Sequence, residues 1–370
     1  MLERQFTERV LGPEHAAATD ERLAVIGAFN PGVVEHRDRT VLLVRVVQQP
    51  VEMREDAYAS PRYGEDGLVI DWLPAAETET ESDPRSYTST KTGTLRLRFI
   101  SHLQLFYSDD GVTLSEEQPD PSTAVILPEG EYEEYGIEDP RVVLIEGTYY
   151  ITYVAVSRHG VATALMSTTD FQSFTRHGII LPPDNKDVLL FPERIGGDYA
   201  MLHRPMPNMA FSPPQMWVSR SPDLVHWGMH RRLFGGGSVP AGLEDVVAFR
   251  DRVGGSTPPV MTDRGWLTVF HGSNKAHDAA GVGAAVGTYS AGVLLLDAAR
   301  PERVVGCSAG SIMAPEAGFE TRGFVDNVVF PTALLRHGEL AYVYYGAADE
   351  STGVTAFRIG ELLDSAVPVG

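Results

Sequence analysis

Asp139 lies in the run Tyr135-Gly136-Ile137-Glu138-Asp139-Pro140-Arg141, directly before a strongly β-patterned stretch over residues 142–153. A carboxylate set between a glycine turn and a proline, at the mouth of a strand, is held in one place by its own backbone. A general acid needs that fixity, because proton transfer demands a donor within hydrogen-bond reach of the reacting oxygen. An aspartate before proline also serves as a plain turn former, so the surroundings must decide. The chain carries 50 acidic against 30 basic side chains, a net charge of −20. That balance argues against a nucleic-acid partner and makes any clustered cations conspicuous.

The elements that must position Asp139 are short, β-rich runs bounded by Gly, Pro, Asp and Asn, with little helical periodicity. A weak repeat runs through them: a proline near the start of a strand, a polar turn, then a strand of aromatic and β-branched residues. Its five openings are Phe29-Asn30-Pro31, Glu138-Asp139-Pro140, Leu190-Phe191-Pro192, Thr257-Pro258-Pro259 and Val329-Phe330-Pro331. Four strands per unit repeated five times predict an all-β fold, a five-bladed β-propeller formed as one domain over residues 1–370. A pair of β-sandwiches is the rival, but it leaves the recurring proline unexplained. The first two prolines are much farther apart than the others, and the acidic, polar segment around residues 74–93 reads as a surface insertion. Gly235-Gly236-Gly237 and Gly281-Val282-Gly283 lack the Lys-Ser/Thr of a nucleotide loop and read as linkers.

The single cysteine, Cys307, excludes an internal disulfide and a cysteine-rich metal site, and it fits a buried small hydrophobe in a reducing compartment. The start Met1-Leu2-Glu3-Arg4-Gln5-Phe6 has no basic region followed by an apolar core. No apolar run approaches the roughly 20 residues of a membrane span. The chain reads as cytoplasmic, without a membrane or nucleic-acid partner. Assembly into a homo-oligomer stays open.

Six motifs in order along the chain resemble glycoside hydrolase family 130, the inverting β-mannoside phosphorylases and their hydrolytic relatives. They are Phe29-Asn30-Pro31, residues 136–141, residues 186–193, His203-Arg204-Pro205, residues 265–272 and residues 344–349. The resemblance implies a five-bladed propeller, in agreement with the repeat. It implies that Asp139 is the proton donor, the proton passing through a sugar hydroxyl. It places phosphate against Lys186, Arg204 and Arg252, with His271 as a fourth contributor, and the non-reducing sugar against Asn30, Arg45 and Asp349. Tyr135 and Tyr289 are candidates for sugar contacts or for core packing.

The nucleophile separates phosphorolysis from hydrolysis. Phosphate is already anionic near neutral pH and needs cations to hold it, whereas water needs a second carboxylate as base. The implied reaction is cleavage of a β-mannoside by inorganic phosphate, a co-substrate, to α-mannose 1-phosphate, with a small carbohydrate as the other partner and no metal or cofactor. An inverting β-mannosidase using Glu193 or Glu244 as base is the second reading. A non-catalytic carbohydrate-binding propeller is the third. Gly254-Gly255-Ser256-Thr257 and Ser273-Asn274-Lys275-Ala276-His277-Asp278 depart from the family pattern.

Overall fold

The structure, a computed structural model, describes residues 1–80, 85–206, 211–235, 252–274 and 287–369. It is all-β. Five antiparallel sheets of four or more strands follow one another along the chain. The first contains Leu23–His36, Arg39–Pro50 and Ile100–Ser108, and the second runs from Gly136–Ile145 to Thr175–Leu181. The third runs from Asn185–Leu190 to Gly228–Gly235, and the fourth contains Arg252–Gly255, Gly265–Asn274 and Thr288–Leu296. The fifth contains Val329–His337, Leu340–Ala347 and Ser351–Arg358.

The strands read as nearly unbroken apolar runs because both faces of each sheet are covered, and alternate residues serve different neighbours. In the first sheet Val41 and Leu43 join Ile137, Val142 and Ile151 of the second, while Leu42, Val44 and Val46 join Tyr344 and Val354 of the fifth. Val143 and Ile145 of the second sheet pack with Val188 and Leu190 of the third. Leu189 and Leu202 of the third pack with Trp266 and Phe270 of the fourth. Leu267 and Val293 of the fourth pack with Val329 and Val343 of the fifth. Every sheet therefore shares an apolar core with the next, and the fifth shares one with the first. Cys307 is buried in the core between the third and fourth sheets, as expected of a small hydrophobe.

Two chain ends complete sheets begun elsewhere. Phe6–Leu11 pairs with Ser351–Arg358 at the edge of the fifth sheet, and Ala366–Pro368 extends the fourth. Neither pairing is visible as local pattern.

A one-residue bulge holding a left-handed residue recurs in the first strand of three sheets, while the slip between Pro331 and Ala333 in the fifth holds none. Register slips between Phe29 and Gly32, between Glu138 and Arg141, and between Lys186 and Leu189. Asn30, Asp139 and Asp187 occupy these bulges with left-handed φ of 51°, 49° and 57°. Asn and Asp tolerate that region better than other residues with a Cβ. The bulge re-aims their side chains away from the pleat. The repeat is thus anchored by these residues, and proline follows in only two of them. In the third sheet the sequence reading fell on Phe191-Pro192, beyond the end of the strand, because Asp187 is followed by Val188. The glycine pieces at residues 236–237 and 281–283 lie outside the described residues.

The insertion is larger than residues 74–93. It leaves the first sheet after Pro50 and returns at Ile100, and it folds into a hairpin of Ala57–Gly64 with Gly67–Pro74 and a three-stranded sheet ending in Leu95–Leu97.

Candidate active site

The bulges converge on a cavity of about 350 Å³. Asn30, Arg45, Asp139, Lys186, Arg204, Arg252, Tyr289 and Asp349 all line it, so eight of the expected positions come together from all five sheets. Two do not line it. Tyr135 packs with Val154 and Val156 beneath the Arg96 guanidinium, 5.2 Å from its ring centre. His271 lies fully buried behind Arg204.

Around Asp139, Asn30 Nδ2 donates to Oδ1 at 2.8 Å and Arg45 Nη1 donates to the same oxygen at 3.1 Å. Arg45 also reaches Glu138 at 2.7 Å and Ser101 Oγ at 3.1 Å. Among the described residues both side-chain donors to Asp139 fall on one oxygen, which leaves Oδ2 open to a proton or a ligand. Burial alone pushes the Asp139 carboxyl up, but Arg45, Arg141 and Lys186 outweigh it and hold the group below its ordinary value. Its neighbours go the other way. Burial raises Glu138 against the pull of Arg45, and burial raises Asp349 against Arg85 and Arg45. Glu138 lines the cavity too. Its register as the residue before the bulge was the available signal.

Gly346 sets the Asn30 side chain in place. A Cβ there would stand 1.9 Å from Asn30 Oδ1. Gly346→Ala is expected to push Asn30 off Asp139, lowering kcat by roughly tenfold to a hundredfold, the scale of one or two lost hydrogen bonds at a charged group. Overpacking lowers stability by about 1–3 kcal/mol in addition. Activity and melting temperature together check this, and an unchanged kcat would detach Asn30 from the acid.

The cations form a second group. Arg204 is the register partner of Lys186, as Arg45 is of Phe29, so the repeat places one arginine at equivalent positions in the first and third sheets. Arg204 is ion-paired with Asp187 at 2.9 Å, both nearly sealed from solvent. Asp187 Oδ2 also faces His271 Nε2 at 3.4 Å, and Ser256 Oγ lies 3.0 Å from His271 Nδ1. Gly254 makes room for this cluster, since a Cβ there would stand 2.2 Å from Asp187 Oδ2. The departure Gly254-Gly255-Ser256 therefore belongs to the support of this cluster. Arg252 Nη1 donates to Tyr289 Oη at 3.3 Å, next to His271. Lys186 stands between the two groups, its charge felt by Glu138, Asp139 and Asp349 on one side and by Asp187 on the other. Among the described residues, neither Lys186 nor Arg252 is paired with a carboxylate. Arg141, almost fully buried, has Nε and Nη2 without a hydrogen-bond partner among the described residues. The site holds more positive charge than its buried anions offset, which is the electrostatics of an anion seat.

His271, expected as a fourth contributor to the phosphate site, is fully buried and does not line the cavity. Burial pushes its imidazole down to about 4 despite Asp187, so it is neutral at neutral pH and supports Arg204 from behind. Burial likewise lowers His102 to about 4 and His203 to about 3. With ordinary values near 6.5, the unfolded chain takes up these protons first as pH falls. Stability is therefore whole above about pH 6.5 and lost on descent towards pH 4, by on the order of 3 kcal/mol for each histidine. The melting temperature is expected to fall by several degrees between pH 7 and pH 5. A constant value over that range would mean that the histidines are protonated in the fold.

A family model described as beta-1,4-mannooligosaccharide phosphorylase, of glycoside hydrolase family 130, matches residues 97–367. The chain belongs to glycoside hydrolase family 130. A relative in the family, the beta-1,2-mannobiose phosphorylase of Listeria innocua serovar 6a, is 35% identical over 350 residues, covering 93% of this chain and 92% of its own. The 1,2-beta-oligomannan phosphorylase of a Thermoanaerobacter species is 31% identical over 269 residues, 72% of this chain and 81% of its own. Among solved structures, that of the Listeria innocua beta-1,2-mannobiose phosphorylase in complex with beta-1,2-mannobiose superposes with a TM-score of 0.85. It is 33% identical over 97% of this chain and 98% of its own. Of the residues that line the cavity, Asn30, Asp139, Lys186, Arg204 and Asp349 fall on the motifs by which the sequence resembles the family, and Arg252 falls between them.

Proposed function

We propose that this protein is an inverting phosphorylase that cleaves a β-mannoside, with β-1,2-mannobiose as its substrate, using inorganic phosphate. The observation that carries the reading is the group of cations Lys186, Arg204 and Arg252 lining one cavity with Asp139, in which Lys186 and Arg252 have no carboxylate partner among the described residues. In the forward reaction a phosphate oxygen bonds to the anomeric carbon from the face opposite the leaving sugar, and the bond from that carbon to the glycosidic oxygen breaks. Asp139 supplies the proton that the departing oxygen needs. The products are α-mannose 1-phosphate and the shortened sugar.

The charges also order the steps. In the empty site Lys186 and Arg141 help to keep Asp139 ionised. Phosphate seated on the cations cancels much of their pull, so the carboxyl rises towards the neutral, proton-donating form as the nucleophile arrives. Asn30, Arg45 and Asp349 hold the mannosyl group at the acid's side of the cavity. The five sheets with shared cores support a five-bladed propeller whose axis carries this cavity.

Hydrolysis needs a carboxylate to deprotonate water, and Glu193 is exposed and does not line the cavity. Glu244 lies outside the described residues. Incubation with β-1,2-mannobiose, with and without phosphate, tests the proposal. α-Mannose 1-phosphate is expected only with phosphate, and mannose release at equal rates without it would overturn the assignment.

A further inference from the structure

The cavity has a third region that neither the acid nor the cations account for. Arg85, Ser86, Leu95 and Leu97 enter it from the insertion. These residues stand on a clamped wall. Tyr63 N donates to Glu134 O at 2.7 Å, and Ser60 Oγ donates to Leu97 O at 2.9 Å. Arg62 and Arg96 both pair with Asp71, and Leu97 packs into the apolar clusters of Phe29 and of Tyr135. Leu95, by contrast, is 62% exposed although it faces the site. With Leu97 it gives the cavity an aliphatic stretch on its insertion wall.

Displacement with inversion puts nucleophile and leaving group on opposite faces of the mannosyl ring. Phosphate takes the cation side, so the departing saccharide must lie on the other. The insertion packs on the first and second sheets, where Leu97 meets Phe29 and lies with Val156 and Val161 against Tyr135, whereas Lys186, Arg204 and Arg252 stand on the third and fourth, and Arg85, Ser86 and Leu95 line the same cavity. A pyranose offers that combination in reverse: C–H groups on its face and hydroxyls around its rim. Arg85 acts on Asp349 and Glu138, so it stands beside the mannosyl seat as well. The family match begins at residue 97, and Arg85 and Leu95 fall outside it while the acid and the cations fall inside.

We infer that Arg85, Ser86, Leu95 and Leu97 form the seat of the leaving saccharide, making the insertion the element that selects what the mannosyl group is cut from and transferred to. This rests on the phosphorylase reading above. The test runs the reaction backwards, with α-mannose 1-phosphate as donor and mannose as acceptor, on wild type, Arg85→Ala, Arg85→Lys and Leu95→Ser. In Arg85→Ala and Leu95→Ser the KM for mannose is expected to rise about tenfold, the scale of one lost contact of about 1.4 kcal/mol. The KM for α-mannose 1-phosphate should stay within about twofold in Leu95→Ser, and Arg85→Lys should restore part of the loss. Unchanged acceptor KM in both variants, or equal rises for donor and acceptor in Leu95→Ser, overturns the inference. A wild-type protein with no phosphorolytic or synthetic activity would instead overturn the proposed function. The inference is then read by calorimetric titration of β-1,2-mannobiose and of mannose. Variants that lose disaccharide affinity and keep mannose affinity support the wall, and variants that bind both as wild type does refute it.

Discussion

Asp139→Asn is expected to lower kcat by about a thousandfold or more, the contribution of a positioned general acid, while the protein still folds. Asparagine accepts the left-handed φ of 49° at this bulge. Its side-chain oxygen can take the same hydrogen bonds from Asn30 and Arg45 that Asp139 Oδ1 takes now. What disappears is the proton on the other oxygen. Alanine would be a poorer probe, since it leaves the left-handed position strained and both donors unanswered. Glu138→Gln is the control, because Glu138 lines the same cavity and burial favours its neutral form. It is expected to keep at least about a tenth of the activity, its role being to share Arg45 with Asp139. Steady-state kinetics and circular dichroism on the two variants decide the matter. If Glu138→Gln is the inactive one and Asp139→Asn turns over normally, the acid has been assigned to the wrong carboxylate.

Arg204→Ala is expected to raise the KM for phosphate by about a hundredfold, equivalent to about 3 kcal/mol from charge-assisted hydrogen bonds. It should destabilise the fold at the same time. Asp187 would be left charged and buried without its 2.9 Å partner, and stranding one member of a buried pair costs about 3–5 kcal/mol. Lys186→Ala separates the two effects, since Lys186 has no paired carboxylate among the described residues to strand. A rise of about tenfold in phosphate KM with an unaltered melting temperature is the expected result there. Sugar KM serves as the internal reference in both variants. If it climbs as far as phosphate KM in Arg204→Ala, that residue shapes the cavity as a whole and is no specific phosphate ligand.

Several parts of this arrangement were legible from residue order because punctuation marks them. Proline follows Asn30 and Asp139, so two of the three equivalent bulges announce themselves. Asp187 carries the same conformation but is followed by valine, so the proline pattern points instead to Phe191-Pro192, too late in the third sheet. Charge type alone misjudged His271: its neutrality comes from burial beside Asp187 and Arg204, which are 84 and 67 positions away. Tyr135 opens the Asp139 motif in sequence but does not line the cavity, because it packs against Val154 and Val156 with the Arg96 guanidinium over its ring. The insertion misled for a compositional reason. Its acidic middle reads as surface, whereas its function in the cavity wall is carried by the flanking alternation of Leu95, Arg96 and Leu97, in which the leucines turn one way and the arginine another.

Phe6–Leu11 completes the sheet that contains Ser351–Arg358, so this strand has to wait for a partner made far later along the chain. Until then the core shared by the fifth and first sheets is open, and Val10, Leu11, Leu42 and Val44 lack their covering. Such far-separated pairing slows folding and exposes sticky intermediates. Asp349 arrives with that final sheet. A chain that lacks this sheet thus carries Asp139, Lys186, Arg204 and Arg252 without Asp349, and the cavity is whole only once the fifth sheet has joined the first.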